Sequence, residues 1–220
     1  MPLAERLLAS NRVLLVDIEC TCGLGVANER DVQEVIELGL CMDGKASPAQ
    51  HGAQLSAYVR PSYTQVNAFC ERLTGISDGM LRDEPCFKPR MEWLERALVK
   101  WQPELWASWG DFDREQVQRE CDRLGVPNPL ATLVHINAKR ALARHLAAVA
   151  ESRAMTFPKG AKRGVGIGRA LKFLGLEFEG RQHCGADDAF NMARVIAGVR
   201  RFQMGESLSG DRTPSRSMHA

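Results

Sequence analysis

The chain has 220 residues, of which 45% are hydrophobic and 25% charged, and this composition is that of one soluble globular domain. No apolar run is long enough to span a bilayer, and Glu5 and Arg6 interrupt the N-terminal stretch that a secretory signal would need. Seven cysteines, an odd number, are scattered along the chain. We therefore expect reduced thiols, a cytoplasmic location and no membrane association.

The net charge of +2 is unevenly distributed along the chain. Residues 1–110 contain 11 Lys and Arg against 15 Asp and Glu, whereas residues 111–220 contain 18 against 12. Between Lys139 and Lys172 there are nine basic residues and one acid, Glu151. Such a block suits a polyanion such as nucleic acid, and a solvated basic helix face explains it equally well.

Hydrophobic periodicity predicts an α/β domain with a mixed sheet. Three early strands with short turns indicate an antiparallel meander, and the later strands alternate with helices. The predicted strands cover 12–21, 32–42, 54–60, 104–109 and 133–136. The predicted helices cover 65–73, 90–101, 115–124, 138–150, 167–174 and 186–202. Loops are expected at 20–31, 44–52, 77–89 and 153–164, and residues 204–220 read as a disordered tail after a single domain of residues 1–203.

Two acids stand at the end of the first predicted strand. The apolar run from Val13 to Val16 is typical of a strand buried on both faces. Side chains at i and i+2 of a strand share a face, so Asp17 and Glu19 should project together. Their repulsion must be offset by a proton or a cation, and hard ions such as Mg²⁺ bind carboxylates. Taken alone, this pair is better explained by a strand that ends in a solvated turn.

Further candidate ligands follow later elements. Asp111 and Asp113 come between the fourth strand and a helix, a position where α/β folds place their sites. His183 precedes the last predicted helix, and Asp187 and Asp188 open it. An acid in the first turn of a helix also complements the helix dipole, so each element has an ordinary structural explanation. Their occurrence together, in this order, favours one acidic site.

These residues resemble a known family. The segments VDIECT, WGDFD and HCGADDAFNMAR are similar to the three motifs of the DEDDh 3′-to-5′ exonucleases, which have a ribonuclease H-like fold. YVRP at 58–61, LTGI at 73–76, HIN at 135–137 and EGRQHCGADDAFN at 179–191 resemble the subgroup of the histone mRNA 3′-end exonuclease and its bacterial KapD-like relatives. The resemblance covers about Val13 to Phe202, and Cys20 stands where the family usually has Ala.

The resemblance implies a ribonuclease H-like mixed sheet of five strands flanked by helices, with a site for two divalent cations, Mg²⁺ or Mn²⁺. The aromatic-Asp pair of the second motif selects Asp113 over Asp111, and the His-x4-Asp spacing selects Asp188 over Asp187. The implied general base is His183, and the implied metal ligands are Asp17, Glu19, Asp113 and Asp188. The implied reaction releases nucleoside 5′-monophosphates from single-stranded 3′ ends, with RNA favoured over DNA.

Four further residues are candidates for substrate binding. Thr21 follows the first motif and is a candidate contact for the terminal nucleotide, with a structural turn as the alternative. Phe69 and Phe112 are candidates for stacking on the terminal base, with core packing as the alternative. Lys139 belongs to the basic block, which would follow the phosphate backbone.

Two other functions remain open from the sequence. One is a non-catalytic nucleic-acid-binding module on the same fold. The other is a zinc site formed by Cys20 and Cys22 with His183 and Cys184, although the Cys-x-Cys spacing is a weak signal for zinc.

Overall fold

The structure, a computed structural model, describes residues 1–44, 53–158, 164–206 and 208. Its strands, numbered in chain order, are β1 (Arg12–Cys20), β2 (Val35–Gly44), β3 (Ala53–Tyr58), β4 (Leu105–Ser108) and β5 (His135–Asn137). They form one sheet in the order β3-β2-β1-β4-β5. β1, β2 and β3 pair antiparallel, and β4 pairs parallel with both β1 and β5. The predicted mixed sheet, a meander followed by parallel strands, is confirmed.

Helices cover both faces of this sheet. They are α1 (Leu3–Ala9), α2 (Glu29–Val32), α3 (Ala68–Thr74), α4 (Asp78–Leu81), α5 (Phe87–Trp101), α6 (Phe112–Leu124), α7 (Ala138–Ala141), α8 (Ala143–Ser152), α9 (Ile167–Leu174) and α10 (Gly185–Gln203). A 3₁₀ turn occupies Pro129–Thr132. In the part of the chain that the structure describes, every helix is too short or too polar to span a lipid bilayer.

The alternation of β1 divides the core into two layers. Val13 and Leu15 face the layer that contains α8, α9 and α10. Leu14 and Val16 face the opposite layer, which contains α5 and α6. Both layers bury apolar side chains, which is the main source of stability for such a fold. Continuing the alternation, Asp17 and Glu19 lie on the same side as Val13 and Leu15, toward α10.

Two glycines allow α10 to lie directly on the sheet. A Cβ at Gly39 of β2 would stand 1.9 Å from the carbonyl carbon of Gly185, and a Cβ at Gly185 would stand 2.8 Å from the carbonyl oxygen of Asp17. Real Cβ atoms do not approach other atoms this closely, so only glycine fits at either position. The first turn of α10 is therefore held against the backbone of β1 and β2.

The C-terminal half of α10 is held by a buried ion pair. Arg200 Nη1 lies 2.5 Å from Asp43 Oδ2 at the end of β2. The same guanidinium donates from Nε to the carbonyl oxygen of Leu8 and from Nη2 to that of Ser10, at 3.0 and 3.2 Å. Arg200 thus joins α1 and the sheet to the last helix. Sequence reasoning did not predict α1.

The boundaries of several elements differ from the predictions. β2 begins at Val35 rather than at residue 32, because Asn28 adopts a left-handed φ of 54° and starts the short helix α2. The predicted loop at 77–89 contains α4 and the first turn of α5. The Ser77 hydroxyl caps α4 by accepting a hydrogen bond from the Met80 backbone N–H, a local signal that the loop prediction overlooked.

The later part of the chain shows smaller differences. The fifth strand covers His135–Asn137 instead of 133–136, and the helix predicted at 138–150 is divided into α7 and α8 at Leu142. The turn predicted at 44–52, the loop predicted at 153–164 and the tail predicted at 204–220 lie wholly or partly outside the described residues.

Candidate active site

Three of the predicted ligands meet at the carboxyl end of β1. Asp17, Glu19 and Asp188 each offer a carboxylate oxygen, and these oxygens lie within 4.8 Å of one another. The period of two residues in β1 presents the first two to the α10 side of the sheet. Asp188 reaches them from the first turn of α10, which Gly39 and Gly185 hold against the strands. We call these residues the acidic trio.

Asp113 lies beside the acidic trio rather than in it. It occupies the first turn of α6, is buried, and accepts a hydrogen bond at Oδ1 from the backbone N–H of Ile18 at 3.1 Å. Because Ile18 separates Asp17 from Glu19, this bond fixes the strand between the two acids. Asp111 is turned away, since its Oδ2 accepts hydrogen bonds from Asn137 and Arg140 at 2.9 and 3.0 Å.

Burial and mutual repulsion shift the acids toward protonation. Burial raises the pKa of Asp17 well above its ordinary value, and the charges of Asp113, Asp188 and Glu19 raise it further. Burial is also the main cause that raises the pKa of Glu19 to about 8. The pKa values of Asp113 and Asp188 rise to about 6 for the same reason. A cluster of hard oxygen donors with unbalanced negative charge fits a divalent cation such as Mg²⁺ or Mn²⁺.

His183 stands at the entrance to the same cleft. Its backbone N–H donates to Asp188 Oδ2 at 2.7 Å, and its φ of 60° lies in the left-handed region that non-glycine residues rarely adopt. Backbone strain of this kind persists where the surroundings impose it and is frequent at functional sites. The imidazole is exposed and lines a cleft of about 350 Å³ together with the acidic trio. Asp188 therefore has a second role, because it orients the residue that carries the imidazole.

Apolar and small residues form most of the rest of this cleft. Trp109 lines one side, and its indole Nε1 donates to the carbonyl oxygen of Val165 at 2.8 Å. Gly166, Ile167 and Gly168, at the beginning of α9, also line the cleft, together with Phe178 and Gln182. Sequence reasoning did not single these residues out. Trp109 opens the second motif, WGDFD, whereas Gly166, Gly168 and Phe178 come from segments that carry no motif.

The two phenylalanines have different surroundings. Phe69 in α3 is 51% exposed, and its ring lies over Gly23. A Cβ at Gly23 would stand 2.6 Å from Cδ1 of Phe69. Asn67 fixes this contact by donating from Nδ2 to the carbonyl oxygens of Cys22 and Gly23. Phe112 is partly buried against the α5–α6 core layer, beside Asp113 in sequence. Exposure leaves Phe69 free to stack on a base, whereas Phe112 combines core packing with its position next to the site.

Thr21 does not present its side chain to the cleft. It is 0% exposed, and its hydroxyl oxygen accepts hydrogen bonds from the Glu34 backbone N–H and the Thr64 hydroxyl, both at 3.0 Å. These hydrogen bonds fit the structural alternative for the hydroxyl, and the contact of Thr21 with a terminal nucleotide, through its hydroxyl or its backbone, stays a prediction. Thr21 joins the end of β1 to the neighbouring loop.

Three members of the basic block contact other parts of the described chain. Lys139 is half-buried in α7, and its backbone lies against Gly164. A Cβ at Gly164 would stand 2.1 Å from the carbonyl oxygen of Lys139. Arg140 forms a salt bridge with Asp111 at 3.0 Å. The guanidinium of Arg153 packs against Gly175, where a Cβ would stand 2.8 Å from Nη2 of Arg153. The expectation that Lys139 and the basic block follow a phosphate backbone stays a prediction. Residues 159, 162 and 163 lie outside the described part of the chain.

Glu37 is a buried acid at the site that sequence reasoning did not single out. It lies opposite Glu19 in the β1–β2 pairing and is almost fully buried. Its carboxylate accepts hydrogen bonds from the backbone N–H of Gly185 at 3.0 Å and from the Ser56 hydroxyl at 2.7 Å. Glu37 thereby holds the first turn of α10, and its charge also raises the pKa of Glu19. The available signal was an acid inside an otherwise apolar strand.

Comparison with known proteins identifies relatives over most of the chain. The sequence is 28% identical over 205 residues to 3′-5′ exoribonuclease 1 of Homo sapiens, covering 89% of this chain and 54% of that protein. It is 26% identical over 192 residues to ERI1 exoribonuclease 3 of Bos taurus, covering 83% of this chain and 52% of that protein. The chain thus spans about half the length of these curated relatives.

Solved structures share the fold. The nuclease domain of 3′hExo, a DEDDh family member bound to rAMP, matches with a TM-score of 0.68 and 23% identity, over 90% of this chain and 94% of that one. Cell-death related nuclease 4 matches with a TM-score of 0.67 and 18% identity, over 89% and 65% of the two chains. A family model described as Exonuclease (RNase_T) matches residues 14–196, which is most of the chain. The chain therefore belongs to the RNase_T exonuclease family, as its three motifs predicted.

Proposed function

We propose that this chain is a metal-dependent 3′-to-5′ exonuclease that releases nucleoside 5′-monophosphates from single-stranded 3′ ends, with RNA as the preferred substrate. The proposal assigns this activity to residues 1–203 as one domain. The observation that carries it is the convergence of the acidic trio and His183 on one cleft. The names of the curated relatives, which are exoribonucleases, support RNA over DNA.

The acids account for metal binding. Asp17, Glu19 and Asp188 would hold divalent cations, with Asp113 as the fourth ligand. Two bound Mg²⁺ or Mn²⁺ ions would supply Lewis-acid stabilisation of the phosphate charge and a more acidic water. The raised pKa values of the acids mean that cations compete with protons for the site. Activity should therefore be lost in chelator and restored by added Mg²⁺ or Mn²⁺.

His183 is assigned the role of general base. Its exposed imidazole lies at the cleft, and its backbone is fixed by the bond to Asp188. A neutral imidazole accepts the proton of the attacking water, and general bases of this kind contribute about 10²–10⁴-fold to rate. Phe69 and Phe112 are proposed to stack on the terminal base, which would make recognition independent of base identity.

The test uses RNA and DNA oligonucleotides of the same sequence, labelled at the 5′ end, each with a free or a blocked 3′ end. Progressive shortening of the free-ended RNA, dependent on Mg²⁺ or Mn²⁺, is the expected result. His183→Ala should keep RNA binding and lose turnover by about 10²-fold or more, and imidazole added to the buffer should restore part of the rate. A wild-type protein that binds RNA without shortening it would instead show a non-catalytic binding module. Full activity of His183→Ala would remove His183 from the role of base.

A further inference from the structure

Two arginine–aromatic pairs lie on the surface beside the candidate site. The guanidinium carbon of Arg30 is 5.5 Å from the ring centroid of Phe112, and that of Arg123 is 5.7 Å from the ring centroid of Tyr63. These distances are those of cation–π contacts. Tyr63 is 71% exposed, so its ring is accessible to a ligand. Neither Tyr63 nor Arg123 lines the cleft that contains the acidic trio.

One face of α6 connects the two pairs. Positions 112, 116, 119 and 123 recur at the helical period and share a face that begins next to Asp113. The side chains at 116, 119 and 123 all donate hydrogen bonds to the backbone of the segment that contains α2: Gln116 to Gln33, Arg119 to Arg30 and Arg123 to Gln33, at 2.9, 3.2 and 3.4 Å. At 1.5 Å per residue, Phe112 and Arg123 lie about 16 Å apart along the helix. The segment that contains α2 covers the face between them, where Gln116 is 0% exposed.

The loop that carries Tyr63 is held rigidly. The buried carboxylate of Glu34 accepts hydrogen bonds from the backbone N–H groups of Ser62, Tyr63 and Thr64, at 2.6, 2.9 and 2.7 Å. The Thr64 hydroxyl donates to Thr21, which directly follows the strand of Asp17 and Glu19. The Tyr63 ring is therefore presented on a fixed backbone that is tied to the metal-binding strand. A preordered aromatic loses little conformational entropy when it binds a ligand.

Guanidinium groups outnumber the acids that pair with them on this surface. It carries the guanidinium groups of Arg30, Arg119 and Arg123. Of the acids that face them, Glu120 has a buried side chain, and burial raises its pKa to about 7. Asp31 is exposed and lies 3.9 Å from Arg119, so it offsets one charge only weakly. Aromatic faces combined with exposed guanidinium groups match the bases and phosphates of single-stranded nucleic acid.

We propose that Tyr63, Arg123 and Arg30 form a binding surface for the single-stranded RNA that precedes the 3′-terminal nucleotide. This inference rests on the proposed function, and it adds a site outside the catalytic cleft. Tyr63 stacks on a base, and the two arginines bind the flanking phosphates. At a stacked spacing of about 3.4 Å, the distance of about 16 Å between the two pairs corresponds to about four or five nucleotides. The preferred substrate should therefore have a single-stranded 3′ segment of at least that length.

The experiment measures how RNA affinity depends on oligonucleotide length. Oligonucleotides of two, four, six and eight nucleotides are titrated by fluorescence anisotropy into protein that carries His183→Ala, so that the RNA stays intact. Affinity should rise with length up to about five or six nucleotides and then level off. Adding Tyr63→Ala should weaken binding of the octamer about tenfold and of the dinucleotide less than twofold. Tyr63→Phe, which keeps the ring, should bind the octamer nearly as well as the parent.

Two further variants identify the source of any loss. Val99 on α5 is also 71% exposed, so Val99→Ala is the matched control and should leave all affinities unchanged. Arg123→Gln should reduce the slope of log K against log salt by about 0.7 for the octamer, because one phosphate contact is lost. For the dinucleotide, the slope of log K against log salt should be the same for Arg123→Gln as for the parent.

The inference is overturned if affinity does not depend on length, or if Tyr63→Ala weakens dinucleotide and octamer binding equally. Failure of the proposed function has a different signature, namely wild-type protein that shortens no oligonucleotide of any length in Mg²⁺ or Mn²⁺. Active wild-type protein with length-independent binding would refute this surface while leaving the exonuclease assignment intact.

Discussion

Replacing Glu19 by Gln should make the metal-free protein more stable while it removes activity. Glu19 is buried among other acids, and its pKa is raised from the ordinary 4.5 to about 8. At pH 7 the carboxyl is therefore mostly protonated in the folded state and ionised in the unfolded state. From pH 4.5 to pH 7 this difference amounts to about 3 kcal/mol of lost stability, at 1.36 kcal/mol per pH unit. Gln has nearly the same shape and no proton to bind, so it avoids that loss.

The sign of the effect follows from the raised pKa. The loss of folding stability that Glu19 causes is absent below pH 4.5, grows as the pH rises and reaches its full value above about pH 8. Urea unfolding in EDTA, followed by tryptophan fluorescence, should show Glu19→Gln more stable than wild type by up to about 3 kcal/mol at pH 7 and by less than about 1 kcal/mol at pH 5. Mg²⁺ should stabilise wild type more than the variant.

A matched control is available on the opposite side of the sheet. Glu92 is exposed on α5, and Glu92→Gln should change stability by less than about 0.5 kcal/mol at either pH. A Glu19→Gln protein that is less stable than wild type in EDTA at pH 7, or equally affected at pH 5 and 7, would refute the claim that burial, reinforced by the neighbouring acids, keeps Glu19 protonated in the metal-free fold.

Two other changes test how the site is built. Gly39→Ala should lower the free energy of unfolding by about 3 kcal/mol and reduce metal-dependent activity, because the new Cβ would meet the Gly185 backbone at 1.9 Å. The control is Gly79→Ala, whose Cβ would meet only the Ser77 hydroxyl at 3.6 Å. Equal melting temperatures for the two variants would contradict the close contact at Gly39. Phe69→Ala should raise the KM for RNA about tenfold, and its melting temperature should stay within a few degrees of wild type. A lower melting temperature without a change in KM would indicate that Phe69 packs against the protein instead of stacking on a base.

Local sequence patterns were sufficient to predict the site-bearing strand. The alternation in β1 predicted that Asp17 and Glu19 share a face, because a strand has a period of two that no other contact changes. Asp188 was found by its motif, whereas its approach to the other acids depends on the contact between Gly39 and Gly185. That contact is tertiary, so no local pattern shows it.

The features that were missed depend on contacts between distant parts of the chain. α1 has only seven residues, and it is held by hydrogen bonds from Arg200, more than 190 residues away. The inward orientation of Thr21 depends on Glu34 and Thr64, which bond to its hydroxyl. Glu37 resembled an ordinary polar position of β2, and only the fold reveals that it holds the start of α10.

The backbone contact between Gly39 and Gly185 also limits how the metal preference could be redesigned. Mg²⁺ binds oxygen at about 2.0–2.1 Å and Ca²⁺ at about 2.3–2.6 Å, so a site for the larger ion needs wider ligand spacing. Shortening or exchanging core side chains does not change this spacing, because main chain touches main chain between the helix and the sheet and no side chain lies between them. A variant selective for a larger ion would need a changed backbone, such as an added residue ahead of α10 or a bulge in β2.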